Sequence, residues 1–227
     1  MGSCDSCCRD YTFPKSGDYY KGDMNDHLPN GKGKRYNQNN RLIYQGDFVN
    51  GFREGYGTFY FEDGNYYKGP WKNDVREGKG RIYYKNNTLF YEGDFVNDKY
   101  EGTGRLVWPD GVYYIGQFSN GKKNGKGKMF YKNNVVMYDG YFVNDQYEGK
   151  GMYMWENGEF YRGDWSKGLR HGTGKMYSKT GELLYTGKFG NNIYVGDAKE
   201  KAQKKEIIIG KNKLYESKGY FIANIRK

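Results

Sequence analysis

The sequence predicts an all-β protein: an elongated single-layer antiparallel β-meander of stacked repeats, followed by a short, basic α/β cap at the carboxyl end. Three observations predict it. A tyrosine recurs as Tyr20, Tyr44, Tyr67, Tyr91, Tyr114, Tyr138, Tyr161 and Tyr185, with a glycine two residues later and a large apolar residue two after that. A Gly-x-Gly then falls eleven and thirteen residues after each of the first seven tyrosines, from Gly31/Gly33 to Gly172/Gly174. Between these marks lie clusters of Asn, Asp and Gly of the kind that reverse strands. Self-similarity at such a period means stacked units sharing one continuous core.

The mean hydropathy of -1.05 would suggest disorder in a chain poor in rings, but 26 Tyr, 13 Phe and 4 Trp supply ample apolar area for a packed core. The formal charge of +10 is unevenly placed. Residues Ala198 to Lys227 hold nine Lys or Arg against three acidic residues, which leaves the remainder only mildly basic. No RNA- or DNA-binding fingerprint accompanies this charge, so nucleic acid is not an expected partner. All three cysteines, Cys4, Cys7 and Cys8, lie within the first eight residues, the wrong placement for disulfides that staple a secreted fold. No apolar run is long enough for a signal peptide or a membrane-spanning helix, so synthesis in the cytosol is expected.

Residues 1–10, MGSCDSCCRD, fit the M-G-x-x-x-[ST] pattern for myristoylation, with Gly2 exposed once Met1 is removed and Ser6 at the favoured position. One myristoyl chain holds a protein at a bilayer only marginally, and a palmitoyl thioester on Cys4, Cys7 or Cys8 would supply the second signal. The plainer alternatives are a chance Met-Gly start and a cysteine cluster that is merely exposed. A metal site there lacks a nearby His or second Cys pair. Residues 11–19 form a spacer.

Residues 20–197 form eight repeats, the first and last degenerate. Tyr-to-Tyr distances alternate 24, 23, 24, 23, 24, 23, 24, with the extra residue always after the Gly-x-Gly, so the true period is two repeats, 47 residues. The shorter units place Asp63-Gly64, Asp110-Gly111 or Asn157-Gly158 at the second connection, which predicts two-residue hairpins with both central residues at positive φ. The longer units carry Lys85-Asn86-Asn87, Lys132-Asn133-Asn134 or Lys179-Thr180-Gly181, which predicts three-residue or bulged hairpins. Folding at Asp110-Gly111 sets Val107 opposite Tyr114 and Arg105 opposite Gly116. It puts Tyr114, Gly116 and Phe118 on one face and Leu106, Trp108, Tyr113 and Ile115 on the other. A glycine between two rings lets a neighbouring ring lie over the bare backbone. With two strands per repeat, eight repeats would extend roughly 80 Å.

Residues 198–227 change character: AKEKAQKKE favours helix behind an Asp197 N-cap, and Ile207 to Ile209 and Gly219 to Ile225 favour strand. This tail is expected to cover the last sheet edge. Its Lys199, Lys201, Lys204 and Lys205 are also candidates to face anionic lipid.

The unit Y-x-G-x-F/W followed by E/N-G-x-G, repeated from Tyr20 to Gly196, resembles the MORN repeat (membrane occupation and recognition nexus). Met24 and the loop at His27, Leu28 and Pro29 depart from the pattern in the first unit. The resemblance implies an extended β-meander used for protein interaction, membrane association or dimerisation, as in junctophilins, some plant phosphatidylinositol phosphate kinases and apicomplexan cytoskeletal proteins. It does not imply catalysis. The residues agree: His27 and His171 lie in different repeats without a nucleophile, the Gly-x-Gly steps lack the helix and Lys-Ser/Thr of a phosphate loop, and the recurring Glu54, Glu77, Glu101 and Glu148 have no partner at metal spacing. No enzyme activity, cofactor or metal is expected.

The function expected is a lipid-anchored scaffold that docks a partner protein at a membrane or membrane-associated cytoskeleton. The expected groove contains Tyr67, Trp71, Tyr91, Phe95, Tyr114, Phe118, Tyr138, Phe142, Tyr161 and Trp165, which either form core and groove at once or only stabilise the sheet. Direct binding of anionic phospholipid by the array, or service as the regulatory subunit of an enzyme on another chain, are the alternatives. Lysine- and asparagine-rich usage suits an AT-rich genome, and with it the cytoplasmic face of the plasma membrane or of a cortical inner membrane complex. The open sheet edge would permit a homodimer.

Overall fold

The computed structural model describes residues 11–196. The acylation motif, Asp197, the carboxyl-terminal cap and its four lysines lie outside the described residues. Over those residues the chain forms one open 18-stranded antiparallel sheet in meander order, with no helix.

Each repeat is a hairpin, as in Tyr113–Ser119 and Lys122–Phe130, joined to the next hairpin at Val136–Val143. The first connection is the two-residue turn. Asn120 and Gly121 take φ of 52° and 82°, and Asn97-Asp98 and Asn144-Asp145 do the same, the signature of a type I′ turn. The second connection contradicts the two-residue expectation. At Trp108 to Val112 the Gly111 N–H donates to the Trp108 carbonyl at 2.9 Å, the Trp108 N–H donates to the Val112 carbonyl at 2.9 Å, and only Gly111 has positive φ. This is a type I turn closed by a left-handed residue, with Pro109 preset at its first corner. Tyr131 to Val135 repeats the geometry with Asn134 as the left-handed residue.

Long and short units therefore use the same turn, and the extra residue is a β-bulge. Met129 faces Tyr138 and Phe130 faces Val136, leaving Met137 unopposed. Ile43, Phe90 and Leu184 occupy the same place, one every 47 residues. Met137 turns inward and is buried.

The three-residue turn also moves the register by one. Leu106, not Val107, lies opposite Tyr114, and Gly104, not Arg105, lies opposite Gly116. Leu106 and Trp108 consequently join Tyr114 and Phe118 on the core face, where they are 1% and 7% exposed. Ile115 stays on the outer face, 41% exposed.

A single-layer sheet has no second layer to cover its core, so the rings cover one another. From Tyr44 to Tyr161 each opening Tyr makes an edge contact with the ring four residues on, and from Tyr20 to Tyr161 each makes another with the equivalent ring of the next repeat. Around Tyr114 the partners are Phe118 at 5.2 Å and Phe142 at 5.0 Å, with planes 79–88° apart. The contacts between repeats run unbroken from Tyr20 to Phe189. Edge-to-face pairs of this kind are each worth about 0.5–1.5 kcal/mol beyond their buried area.

The two glycines of each Gly-x-Gly have different jobs. The first takes positive φ at a bulge, as Gly102 does at 62°. The second gives the ring its seat: a Cβ on Gly104 would lie 2.7 Å from Tyr91 Oη, and one on Gly93, directly across the ladder, 2.5 Å from the same atom. The phenol then donates to the Asp94 carbonyl at 3.1 Å. In the degenerate eighth unit the seat passes to Tyr194, whose ring a Cβ on Gly187 would meet at 2.9 Å.

Candidate interaction surfaces

All ten expected groove residues lie on the core face, between 0% and 6% exposed. They stabilise the sheet and shape that face, but their rings present almost no surface of their own. Burial pushes their phenols up, to about 12 for Tyr161 and higher for Tyr67, Tyr91, Tyr114 and Tyr138. These hydroxyls remain neutral across the physiological range.

Cations are built into the same face at a position that composition did not single out. Arg53 Nε meets Asp74 Oδ1 at 2.9 Å while its guanidinium lies 4.1 Å from the Trp71 ring, and Arg76 pairs with Asp98 at 2.8 Å beside Phe95. Lys123 lies within 5.2–5.9 Å of the Trp108, Phe142 and Tyr114 rings, and burial lowers its pKa against the raising pull of Asp145. The Asp belongs to the first turn of the following repeat, so each pair ties two repeats. Where that turn residue is Gly121 or Gly168, the preceding repeat carries Tyr100 or Tyr147 instead, each stacked on the opening Tyr at 3.8–3.9 Å, and at Gly51 it carries Pro29. The coupled alternation of cation with Asp and Tyr with Gly is the sequence signal that would have revealed it.

The recurring glutamates also have a structural task. Glu54, Glu77, Glu101 and Glu148 each accept the N–H of the first turn residue in the next repeat, at 2.9–3.0 Å: Asn73, Asn97, Asn120 and Lys167. His27 occupies a first turn and His171 is exposed elsewhere. Among the described residues no group of three His, Cys, Asp or Glu could hold a metal ion.

The outer face is where charge accumulates. Strand alternation puts sixteen exposed cations there: Lys21, Lys32, Lys34, Lys68, Lys72, Lys79, Arg81, Lys99, Arg105, Lys122, Lys126, Lys128, Lys150, Arg162, Lys175 and Lys188. Nine acids share the face: Asp23, Asp47, Glu54, Glu92, Asp94, Glu101, Asp139, Glu148 and Asp164. Elsewhere the described residues hold eleven Lys or Arg against twelve Asp or Glu, so the excess belongs to this face. The acids are engaged. Asp164 pairs with Lys150 and accepts the Thr173 N–H, which holds its carboxyl below the usual range. Asp47, Asp94, Asp139 and Glu92 pair with Lys32, Lys79, Lys128 and Arg81.

Beside the cations runs a row of half-buried outer rings stacked in pairs: Tyr19 on Tyr36, Tyr66 on Tyr83, Tyr113 on Phe130 and Phe160 on Tyr177, at 4.6–5.1 Å and within 9–19° of parallel. The phenols of Tyr19, Tyr66 and Tyr113 donate to Asn40, Asn87 and Asn134 of the next left-handed turn corner, at 2.9–3.0 Å. Tyr56 and Tyr141, on the same face, are 61% and 50% exposed.

No curated protein matches the chain. Solved structures similar to it include the TCP10 domain of CPAP from Danio rerio in complex with a peptide of Danio rerio STIL. That match has 11% identity and a TM-score of 0.21, covering 80% of this chain and 99% of that one. Another is a protein of unknown function from Bacteroides caccae, at 13% identity and a TM-score of 0.20, covering 83% of this chain and 70% of that one. The model of the MORN repeat matches residues 20–40, 44–66, 67–89, 91–113, 114–136, 138–160 and 161–182. Those segments contain the ring seats, paired turns and inter-repeat ties described above, and the chain belongs to the MORN-repeat family.

Proposed function

We propose that this protein is a non-enzymatic scaffold, held at the cytoplasmic face of a membrane by acyl chains on Gly2 and on one or more of Cys4, Cys7 and Cys8, and docking a partner protein through the array. The observation that carries the reading is the division of labour in the sheet: the core face spends its rings on one another, while the opposite face is broad, exposed and basic. MORN repeats are consistent with a membrane-associated or protein-binding role. The test is fractionation of cells expressing the wild type and Gly2→Ala, with proximity labelling from each. Wild type should sediment with membranes and label a reproducible protein neighbour, and Gly2→Ala should move to the soluble fraction. Unchanged sedimentation of Gly2→Ala would refute the acyl anchor, and labelling no different from a soluble control would refute the scaffold.

The exposed cations also favour a second reading, in which the array contacts anionic phospholipid directly. Lys199, Lys201, Lys204 and Lys205 would add to that attraction. Full-length unacylated chain should then sediment with acidic vesicles in a salt-sensitive manner. Failure to sediment at low salt would remove it.

A further inference from the structure

We propose that the outer face of the sheet docks an extended acidic segment of the partner protein, its carboxylates seated on like-charged cation pairs. The inference rests on the scaffold reading and names the surface and the partner chemistry. Lys21 lies directly opposite Lys34, Lys68 opposite Arg81, and Arg162 opposite Lys175. Like charges directly opposite destabilise a sheet. The chain nevertheless carries three such pairs at the same place in its first, third and seventh repeats, and among the described residues only Arg81 of these six has an acidic partner, Glu92. Sheet stability does not account for them, whereas an incoming anion does.

The pairs are also well supported. Each adjoins a stacked outer aromatic pair, and the Lys21 and Lys68 ammonium groups lie 5.7 and 5.4 Å from the Tyr19 and Tyr66 rings. Those rings are fixed by their hydrogen bonds to Asn40 and Asn87. The cations are thus presented from a firm platform.

The spacing suits an extended peptide. From the first pair to the second is four strands, about 19 Å at the usual strand separation, and an extended chain covers that in about six residues. The distribution disfavours a bilayer or a nucleic acid, whose negative charge is continuous. Glu92 and Asp139 interrupt the row, so the positive charge comes in separate patches.

The test uses full-length chain made without acylation, with three probes: a fluorescein-labelled peptide of alternating Glu and Ser, about eighteen residues long so as to span three patches; phosphatidylserine–phosphatidylcholine vesicles; and a single-stranded oligonucleotide. Two variants each remove four charges. One changes Lys34, Lys68, Arg162 and Lys175 to Gln on the outer face. The other changes Lys15, Lys85, Lys132 and Lys179 to Gln in turns and at the amino end. We expect wild type to bind the peptide in a salt-sensitive way, the outer-face variant to bind at least about tenfold more weakly, and the turn variant to stay within about threefold. Near-UV circular dichroism checks the fold, and Lys68→Gln with Lys175→Gln replaces the fourfold variant if that one loses it. Equal loss in both variants, no loss in the outer-face variant, or preference for vesicles or oligonucleotide over peptide would overturn the inference. Because no acyl chain is present, that failure leaves the membrane-anchor result untouched.

Discussion

Gly104→Ala tests the idea that the second glycine of each repeat is a seat for a ring. An ideal Cβ there would stand 2.7 Å from Tyr91 Oη and 2.9 Å from both Cε2 and Cζ, whereas carbon atoms in contact settle at about 3.5–4.0 Å. The ring would have to retreat by roughly 1 Å, and its surroundings resist. Tyr100 is stacked against it at 3.9 Å, Phe95 and Phe118 close its edges at 5.2 and 5.4 Å, and its hydroxyl is bound to the Asp94 carbonyl. Gly104 does not have left-handed φ, so the cost is steric and not conformational. Overpacking at about 1–3 kcal/mol plus a weakened hydrogen bond at about 1 kcal/mol gives roughly 3 kcal/mol of destabilisation. Tyr91→Leu alone should cost a similar amount through cavity and hydrogen-bond loss, about 3 kcal/mol. If the two residues share one volume, the double variant should cost about 2 kcal/mol less than the sum. Urea denaturation followed by tryptophan fluorescence and far-UV circular dichroism measures all four corners of the cycle. A loss under about 1 kcal/mol for Gly104→Ala, or additivity within about 0.5 kcal/mol, would refute the seat.

Three further predictions concern the ties and the phenols. Asp98→Ala should cost about 3 kcal/mol, because Arg76 is only 11% exposed and would lose its counter-ion, yet Arg76→Tyr with Asp98→Gly should cost under about 1 kcal/mol by reproducing the arrangement of Tyr100 and Gly121; urea midpoints decide. Glu101→Ala should cost about 1 kcal/mol and Glu101→Gln less than half of that, since an amide oxygen can still accept the Asn120 N–H, and a larger loss for Gln would show that charge matters more than the acceptor. Raised phenol pKa values make the fold sensitive to alkali: the stabilisation is complete below the unfolded phenol value of about 10 and is lost as pH rises toward the folded values, about 12 for Tyr20 and Tyr161 and higher for Tyr44, Tyr67, Tyr91, Tyr114 and Tyr138. The melting temperature should fall steeply between about pH 10 and pH 12, and a flat profile there would count against phenol burial as the cause.

The frame of this fold was legible because its determinants are local and repeated. A fixed Tyr-x-Gly offset followed by Gly-x-Gly puts ring and glycines on one face of neighbouring strands, and the alternation of 23 and 24 residues announces a 47-residue period. What the sequence concealed was which step absorbs the extra residue. Asp110-Gly111 and Lys132-Asn133-Asn134 look like different turns, but both are type I corners followed by one left-handed residue, and a left-handed corner accepts Gly or Asn. Pro109 was the clue, since proline favours the first corner of a type I turn. The type I′ turns were harder to see: only Asn50-Gly51 and Asn120-Gly121 carry the usual Asn-Gly pair, while Asn73-Asp74, Asn97-Asp98 and Asn144-Asp145 substitute an Asp that also serves the preceding repeat's cation. The outer charge was visible in the composition but not in its placement, because assigning Lys34 or Lys175 to a face requires the register, and a one-residue slip reverses every face.

The same register argues for where a partner can act. On the core face each ring is held by neighbours in two repeats, so a change made there for binding would disturb the ladder on both sides. On the outer face the cations are exposed, and what places them is the backbone below. Variation there is cheap for the fold, and the outer row duly varies: Lys21 and Lys34, Gln45 and Thr58, Lys68 and Arg81, Glu92 and Arg105, Ile115 and Lys128, Asp139 and Met152, then Arg162 and Lys175. If only solubility governed this row, mixing the charges would serve it better than placing cations opposite each other. Three like-charged pairs at one position of the repeat are a cost that the sheet carries without return of its own, which puts the specificity of this array on the face its core does not use.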